Sequence, residues 1–410
     1  MKRAIRWTAL ALVVASLATM TGCRNYQEVE NQDIVVGLAI DKGQQGYRYH
    51  MTFEVIDAVA GQSDQIKSKV LEADGNTIAD TTDNATKYAD KNLFFSDCKI
   101  AIFSKEIAKE GLLQVLDWFN RDTKPRLAIQ MYVSNEKTAG ELLKLGQGGG
   151  QQGGGQQGGG QQGGGQQGGG QGGGQQGGGE GVVISLQVAS VMESVSTGGK
   201  SKQMHLYDVD NILLGEGQDL TLPCLQKSNQ QIQPVEVKGT AVFNGDKYAG
   251  YLDDEKTQHF LLLNKIEDSV LLLGEKPSQK DITLQIMRNE VSVDPEIQGD
   301  KISMKVKVKM QCSFDEENSS RNFLLENGIE KVEELANKAV KEDIGGMIKQ
   351  VQKEFGCDIF GFGRRIYQEN PQQWKKLKPS WHQKFRTVAV EIEPNVSIVN
   401  TGFAKPKGTK

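Results

Sequence analysis

Apolar and polar positions along this chain alternate between a strand period and a helix period, which predicts a mixed fold. Residues 34–40 form an apolar run closing on Asp41; turn residues 42–46 follow and 47–55 resumes the run, so a β-hairpin is expected. Asp74-Gly75-Asn76 marks a turn, and residues 77–91 read as a helix with sparse apolar positions. Residues 98–103 read as a buried strand. After Ser104, a candidate N-cap, Ile107, Leu112, Val115, Leu116 and Phe119 recur at helical spacing, and 126–133 returns to strand. A short helix is expected at 138–145 and a helical stripe at 182–195.

The second half repeats the mixture. Residues 239–243 and 247–252 flank Asn244-Gly245-Asp246, a hairpin signal in which Asn-Gly supplies the turn with positive φ. A short helix is expected at 255–263. Ile282, Leu284 and Ile286 alternate, and Met304, Val306, Val308 and Met310 alternate with Lys305, Lys307 and Lys309, which predicts half-buried strands with one wet face. Ile329, Val332, Leu335, Ala336, Ala339, Val340, Met347, Ile348, Val351 and Phe355 form a long helical stripe, with Gly345 and Gly346 expected to weaken its middle and bend it. Asn370-Pro371 reads as a helix start with Asn as N-cap, Pro at N1 and Gln373 at N3. Residues 388–392 and 396–399 are expected to close the fold as strands.

Composition changes this picture at one place. The chain has 410 residues and 48 glycines, but residues 147–179 contain only Gly and Gln and hold 21 of those glycines, so the remainder has an ordinary globular content. The tract offers no side chains for a core and reads as a flexible coil with a span of about 30 Å. Helix-like sequence on both sides favours an insert in one domain over an interdomain linker, since closure entropy grows only logarithmically with loop length.

The N-terminus reads as an address. Lys2, Arg3 and Arg6 precede an apolar stretch at 7–20 that is short for a membrane span, as in a secretory signal peptide. It ends in Met20-Thr21-Gly22-Cys23, which resembles a bacterial lipobox with Met where Leu is usual. Cleavage between Gly22 and Cys23 would leave the Cys23 thiol to carry a diacylglycerol, and two acyl chains hold a bilayer firmly. The competing reading is an ordinary cleaved signal with an unrelated cysteine. The formal charge of −4 becomes −7 without the three leader cations, which disfavours nucleic acid as a partner.

Candidate chemistry is sparse. Residues 194–201, SVSTGGKS, resemble the end of a phosphate-binding loop, but Ser194 replaces the first glycine and an amphipathic helix precedes it where a strand is required, so a polar loop is expected. Gly361-Phe362-Gly363 lacks the third glycine of a dinucleotide fingerprint and reads as a tight packing turn. His50, His205, His259 and His382 lie far apart without metal-ligand spacing. Five cysteines without a CxxC pair argue against a disulfide scaffold or zinc ribbon, and Cys98 and Cys357 fall in apolar segments. No nucleophile elbow occurs, and nothing calls for a metal or cofactor. The Lys305, Lys307 and Lys309 face reads as one wet strand face that also guards an edge, with anionic lipid as the competing partner.

The lipobox, "IVVGLAID" at 34–41, "RDTKPRLAIQMYVSNEKTAGELL" at 121–143, "GTAVFNGDKYAGYLDDEKTQHFLLL" at 239–263 and "DIFGFGRRIYQENPQQWKKLKPSWHQKF" at 358–385 together resemble the Ger(x)C family, the C subunits of spore nutrient germinant receptors. Asp358, Phe360, Gly361, Gly363, Pro371, Trp374 and Trp381 fall in that family's pattern; the Gly/Gln tract departs from it. The resemblance implies an α+β protein of three mixed α/β domains with largely antiparallel sheets. The expected divisions are a signal peptide at 1–22, a tether at 23–33, an N-terminal domain at 34–198, a middle domain at 199–276, a C-terminal domain at 277–402 and a tail at 403–410. It further implies a non-enzymatic lipoprotein on the outer face of the spore inner membrane, working with an A subunit and a polytopic B subunit to trigger germination in response to nutrients. An extracytoplasmic solute-binding lipoprotein is the alternative; it would show repeated βαβ units and a closing cleft, whereas hairpins are expected to dominate here. The signature residues are read as packing groups before any binding role, because their aromatic rings and glycines suit a close-packed turn.

Overall fold

A computed structural model describes residues 32–57, 68–121, 125–147, 182–230, 233–264, 268–274, 280–299, 301–318 and 328–401, with residues 7 and 266 singly. Gly22, Cys23, residues 148–179 of the Gly/Gln tract and the expected tail lie outside them. Two mixed sheets organise the described chain. The fold is α+β.

The expected hairpin forms β1 (Gln32–Lys42) and β2 (Tyr49–Asp57), paired antiparallel with Ile40 opposite Met51. β1 therefore starts at Gln32, two residues inside the segment expected as tether. β3 (Ser68–Gly75) extends the sheet on one side. On the other side β5 (Ile100–Phe103), β6 (Gln130–Ser134) and β7 (Thr221–Lys227) run parallel to β1 in that order, while the short β4 (Asn92–Phe94) also pairs with β1. A second hairpin, β8 (Val235–Asn244) and β9 (Lys247–Leu252), completes the row. Antiparallel pairing predominates over the two sheets, as the hairpin signals predict, but the centre of this sheet is parallel, which those signals do not show. Its short strands are buried on both faces, the condition in which parallel strands lose any in–out alternation. Hydrogen bonding is continuous across residue 199, because β6 precedes it and β7 follows it.

Helices cover both faces of this sheet. On one lie α1 (Ile78–Ala85), α2 (Lys105–Glu110), α3 (Leu113–Arg121) and α6 (Leu206–Leu213), whose Ile78, Ile107, Leu116, Phe119 and Val209 join Leu38, Phe53 and Phe103 in one apolar cluster. On the other lie α4 (Gly140–Lys144) and α5 (Ile184–Thr197), whose Leu142, Leu143, Ile184 and Val188 pack with Ile100, Ile102 and Tyr132. These two helices flank the Gly/Gln tract. A side chain at Gly146 would run into the Val182 carbonyl, so the described residues on either side of the tract lie against each other.

The second sheet has the order β10 (Val270–Leu273), β11 (Ile282–Gln298), β12 (Lys301–Glu317), β13 (Ala389–Asn400). Ile286, Met304, Val306, Val308 and Met310 face α8 (Gly328–Gln350) in a core that also takes α7 (Asp254–Leu261) and, from the first sheet, Val242 and Leu252. α8 runs unbroken through Gly345 and Gly346; the irregularity falls later, in a π turn over Val351–Phe355 that ends at Gly356 with φ +67°. The two closing strands expected at 388–399 are one strand, parallel to β12. The lysine face does not guard an edge, because β12 lies inside the sheet: Lys305 pairs with Glu393 on β13 at 2.7 Å, Lys307 with Asp294 on β11 at 2.9 Å, and Lys309 sits opposite Glu290.

Candidate functional site

Residues 358–382 lie where the two sheets meet. Asp358 is fully buried. Its Oδ1 accepts from the Phe362 N–H at 3.1 Å, and its Oδ2 accepts from the Gly363 N–H at 2.7 Å and the Trp381 indole N–H at 2.9 Å. The reason lies in the local sequence. Helix α9 (Phe362–Glu369) has Gly361 as its N-cap, held at φ +73°, and glycine has no side chain to receive the first-turn N–H groups. Asp358 supplies the missing acceptor from three residues upstream. Burial still raises its carboxyl to about 7 against those three donors.

The glycines and indoles fit one another. A Cβ at Gly363 would stand 2.7 Å from the Trp374 ring and 2.8 Å from Trp381 Nε1. The two indoles cross edge to face at 5.5 Å, each only 4% exposed. Pro371 opens α10 (Pro371–Leu377) behind the Asn370 cap, whose Oδ1 accepts from the Gln373 N–H at 3.0 Å, as the sequence predicts. Phe360 packs on Phe260, Phe362 and Phe385 at ring separations of 5.3–6.2 Å, the last of these on α11 (Trp381–Phe385). Asp358, Gly363, Trp374 and Trp381 come together directly, Phe360 and Gly361 lie in the turn between Asp358 and α9, and Pro371 is exposed at the start of the helix that carries Trp374.

Sequence reasoning missed their partners, which come from the loop between α6 and β7. Asp219 Oδ2 accepts the Asp358 N–H at 2.6 Å, and the Asp219 N–H donates to the Asp358 carbonyl at 2.9 Å. Asp219 Oδ1 accepts the Gly245 N–H from the β8–β9 turn at 2.9 Å, and His382 Nε2 lies 3.1 Å from both Asp219 oxygens. That hydrogen bond raises His382 above its ordinary value despite partial burial. Trp374 donates to Glu216, which also pairs with Lys378 at 2.6 Å. The Gly217 carbonyl accepts from the Arg364 N–H at 2.6 Å, and a Cβ on Gly217 would collide with the backbone at Gly363 and Arg364. Glu216, Gly217 and Asp219 stand 139 to 163 residues before the signature-segment groups they meet, and only the two glycines in that loop, Gly215 and Gly217, hint at a special backbone position.

The remaining candidates serve packing or capping. Residues 194–201 form the end of α5, where the Gly198 N–H donates to the Ser194 carbonyl; this is a helix C-terminus, the wrong polarity for cradling phosphate. His50 bridges Glu72 and Asp74, His205 faces Asp208 and His259 lies 3.5 Å from Asp343. Cys98, Cys224, Cys312 and Cys357 are buried free thiols, each pushed up to about 12 by burial. Among the described residues no group of three His, Cys, Asp or Glu side chains is placed to hold a metal, and no helix is long and apolar enough to cross a membrane.

Comparison with known proteins covers both halves of the chain. The family described as spore germination protein N-terminal domain matches residues 25–154, and the family described as spore germination B3/GerAC-like, C-terminal, matches 238–402. The chain belongs to the Ger(x)C family of spore germination proteins. It is 21% identical to spore germination protein KC of Bacillus subtilis (strain 168) over 96% of this chain and 95% of that one. It is 19% identical to spore germination protein GerQC of Bacillus cereus over 98% and 99% of the two chains. The crystal structure of the GerBC protein aligns with a TM-score of 0.49 at 14% identity, over 89% of this chain and 97% of that one. The signature lies within the C-terminal family region, whereas Glu216, Gly217 and Asp219 lie between the two matched regions. A role connected with spore germination follows from this membership.

Proposed function

We propose that this Ger(x)C protein is the non-enzymatic, lipid-anchored C subunit of a nutrient germinant receptor, held by a diacylglycerol on Cys23 at the outer face of the spore inner membrane and working with A and B subunits. The observation that carries this reading is the match of both family regions to spore germination proteins. Two features support it. The lipobox at 20–23 stands just ahead of β1, so a body anchored there would ride close to the bilayer. The Asp358 carboxylate and the two indoles of the signature, with the His382 imidazole beside them, are engaged with one another or with the 216–219 loop, which suits a rigid coupling element better than a reactive centre. The solute-binding alternative needs a cleft that closes. Here the meeting place of the two sheets is filled by Phe360, Phe362, Trp374 and Trp381.

A tagged chain purified from detergent-solubilised spore membranes tests the assignment. Recovery of the A and B subunits with it is the expected result, and its recovery alone under conditions that preserve the complex would contradict it. Fatty-acid labelling tests the anchor: incorporation should disappear in Cys23→Ala, and equal labelling of both chains would refute lipidation there.

A further inference from the structure

A cavity of about 870 Å³ opens on the first sheet between α1, α3 and the end of the β1–β2 hairpin, far in sequence from the signature. Its size lies within the range of small-molecule sites. Its floor is apolar and fixed. Tyr49 and Ile78 are 4% and 3% exposed, and Trp118 is held by edge-to-face contacts with Phe95 at 5.7 Å and Phe119 at 5.0 Å. Leu113 stands half-exposed on the rim. Fixed aromatic walls bury apolar area with little loss of side-chain entropy on binding.

The polar groups at the mouth carry an excess of positive charge. Arg121 is committed to Asp117, whose two oxygens each accept from its Nε at 2.8 Å. Arg48 is different. Its guanidinium lies 5.3 Å from the Tyr49 ring centroid and donates to the Gln114 side chain, and it forms no ion pair among the described residues. Stacked on a ring and steered by Gln114, it is a pre-oriented cation whose remaining N–H donors are available to an acceptor. One uncompensated guanidinium matches one carboxylate, which it can bind through paired hydrogen bonds.

We propose that this cavity binds a small monocarboxylate with an aromatic or branched apolar body, its carboxylate on Arg48 and its body against Ile78, Leu113 and Trp118. Acetate would satisfy the arginine and leave the floor wet; a neutral apolar molecule would fill the floor and leave the arginine without its counter-charge. Affinity needs both parts in one molecule. This inference does not depend on receptor membership, because the purified chain carries the whole site.

The test is titration of the purified full-length chain with phenylacetate, read by calorimetry and ligand-observed NMR, with phenylacetamide and acetate as comparison probes. Saturable binding of phenylacetate is expected, with affinity lowered about tenfold or more by removing the charge on either side, in phenylacetamide or in Arg48→Gln. Arg121→Gln should change it less, since that arginine is already paired. Arg48 is exposed, so Arg48→Gln should fold normally, and an unchanged melting transition checks this. Absence of saturable binding up to about 10 mM, weaker than any useful small-ligand site, would overturn the proposal. Equal binding of phenylacetate by wild type and Arg48→Gln, or equal binding of phenylacetate and phenylacetamide, would overturn it as well.

Discussion

The helices beside the Gly/Gln tract and the helix of the signature solve one problem in two ways. Neither α4, α5 nor α9 has a side-chain hydrogen bond from its own N-cap residue, and these caps are Ala139, Val183 and Gly361. In each case a buried carboxylate from elsewhere receives the first-turn N–H groups, where the helix dipole favours negative charge. Asp41 on β1 accepts from Ala139 and Gly140 at 2.7 and 2.9 Å, and Glu54 on β2 accepts from Ile184 and Ser185 at 2.8 and 2.7 Å. Those two acids pin both ends of the interrupted segment to neighbouring strands, which explains how a long insert is accommodated between them. Asp358 also caps, but its backbone is clasped by Asp219, so its cap closes the seam between two sheets. The first arrangement holds a segment to one sheet; the second holds one body to another.

Breaking the second clamp should therefore have the larger effect. Asp358→Ala leaves three buried donors unsatisfied, at about 1–3 kcal/mol each, and the expected outcome is a chain that fails to accumulate or unfolds at much lower urea. Stability within about 1 kcal/mol of wild type would refute the seam as described. Glu54→Ala orphans the Ile184 and Ser185 N–H groups and should cost about 2–4 kcal/mol. The damage should be local, with hydrogen exchange accelerated first in α5; uniform acceleration through both sheets would erase the distinction drawn between the clamps.

Protons sharpen the same comparison. Folding raises the Asp358 carboxyl from its ordinary value to about 7, so its charged form is disfavoured in the fold and its contribution to stability falls as pH rises from about 4 to about 7. Folding also raises His382, whose contribution is complete below about 6.5 and is lost as pH climbs through its raised value. Both act in one direction: the seam weakens toward alkaline pH as two buried carboxylates lose their one neighbouring imidazolium. Urea unfolding at pH 6 and 8 should show His382→Gln with a smaller loss than wild type. A larger loss in the variant would reverse the sign of the account. Least of all should change when residues 147–179 are replaced by a short turn. A shorter loop costs less closure entropy and a tract of Gly and Gln has no apolar side chains to bury, so the shift should stay within about 1 kcal/mol; a loss above about 2 kcal/mol would make the tract structural.

What the sequence revealed follows the range of the interactions. Caps within one turn were legible: Ser104 receives the Ile107 N–H, and Asn370 with Pro371 begins α10 where expected. So was the alternation in β11 and β12, since each has one buried face. The caps from Asp41 and Glu54 were not, because each spans about 100 residues or more and an isolated acid in a strand looks like a wet position. Strand order was hidden for a similar reason. Nothing local in Ile100–Phe103 or Gln130–Ser134 says that they lie side by side and parallel, and nothing near β12 tells that β13 returns to cover its far edge. The signature was visible as a dense group of aromatic residues and glycines; that its other half is Glu216, Gly217 and Asp219 required the fold.

The central claim is that the signature works by joining the two sheets, and Trp374 is the residue to ask. Its ring is 4% exposed, lies over Gly363 and donates to Glu216 across the seam. Urea unfolding of purified Trp374→Ala, set beside the amount of the variant in spore membranes and its support of germination, is the direct measurement. A loss of about 3–5 kcal/mol, with the protein depleted from spores and germination lost in step, is the predicted result. A variant of unchanged stability that accumulates normally while germination fails would make Trp374 a contact residue and contradict the account.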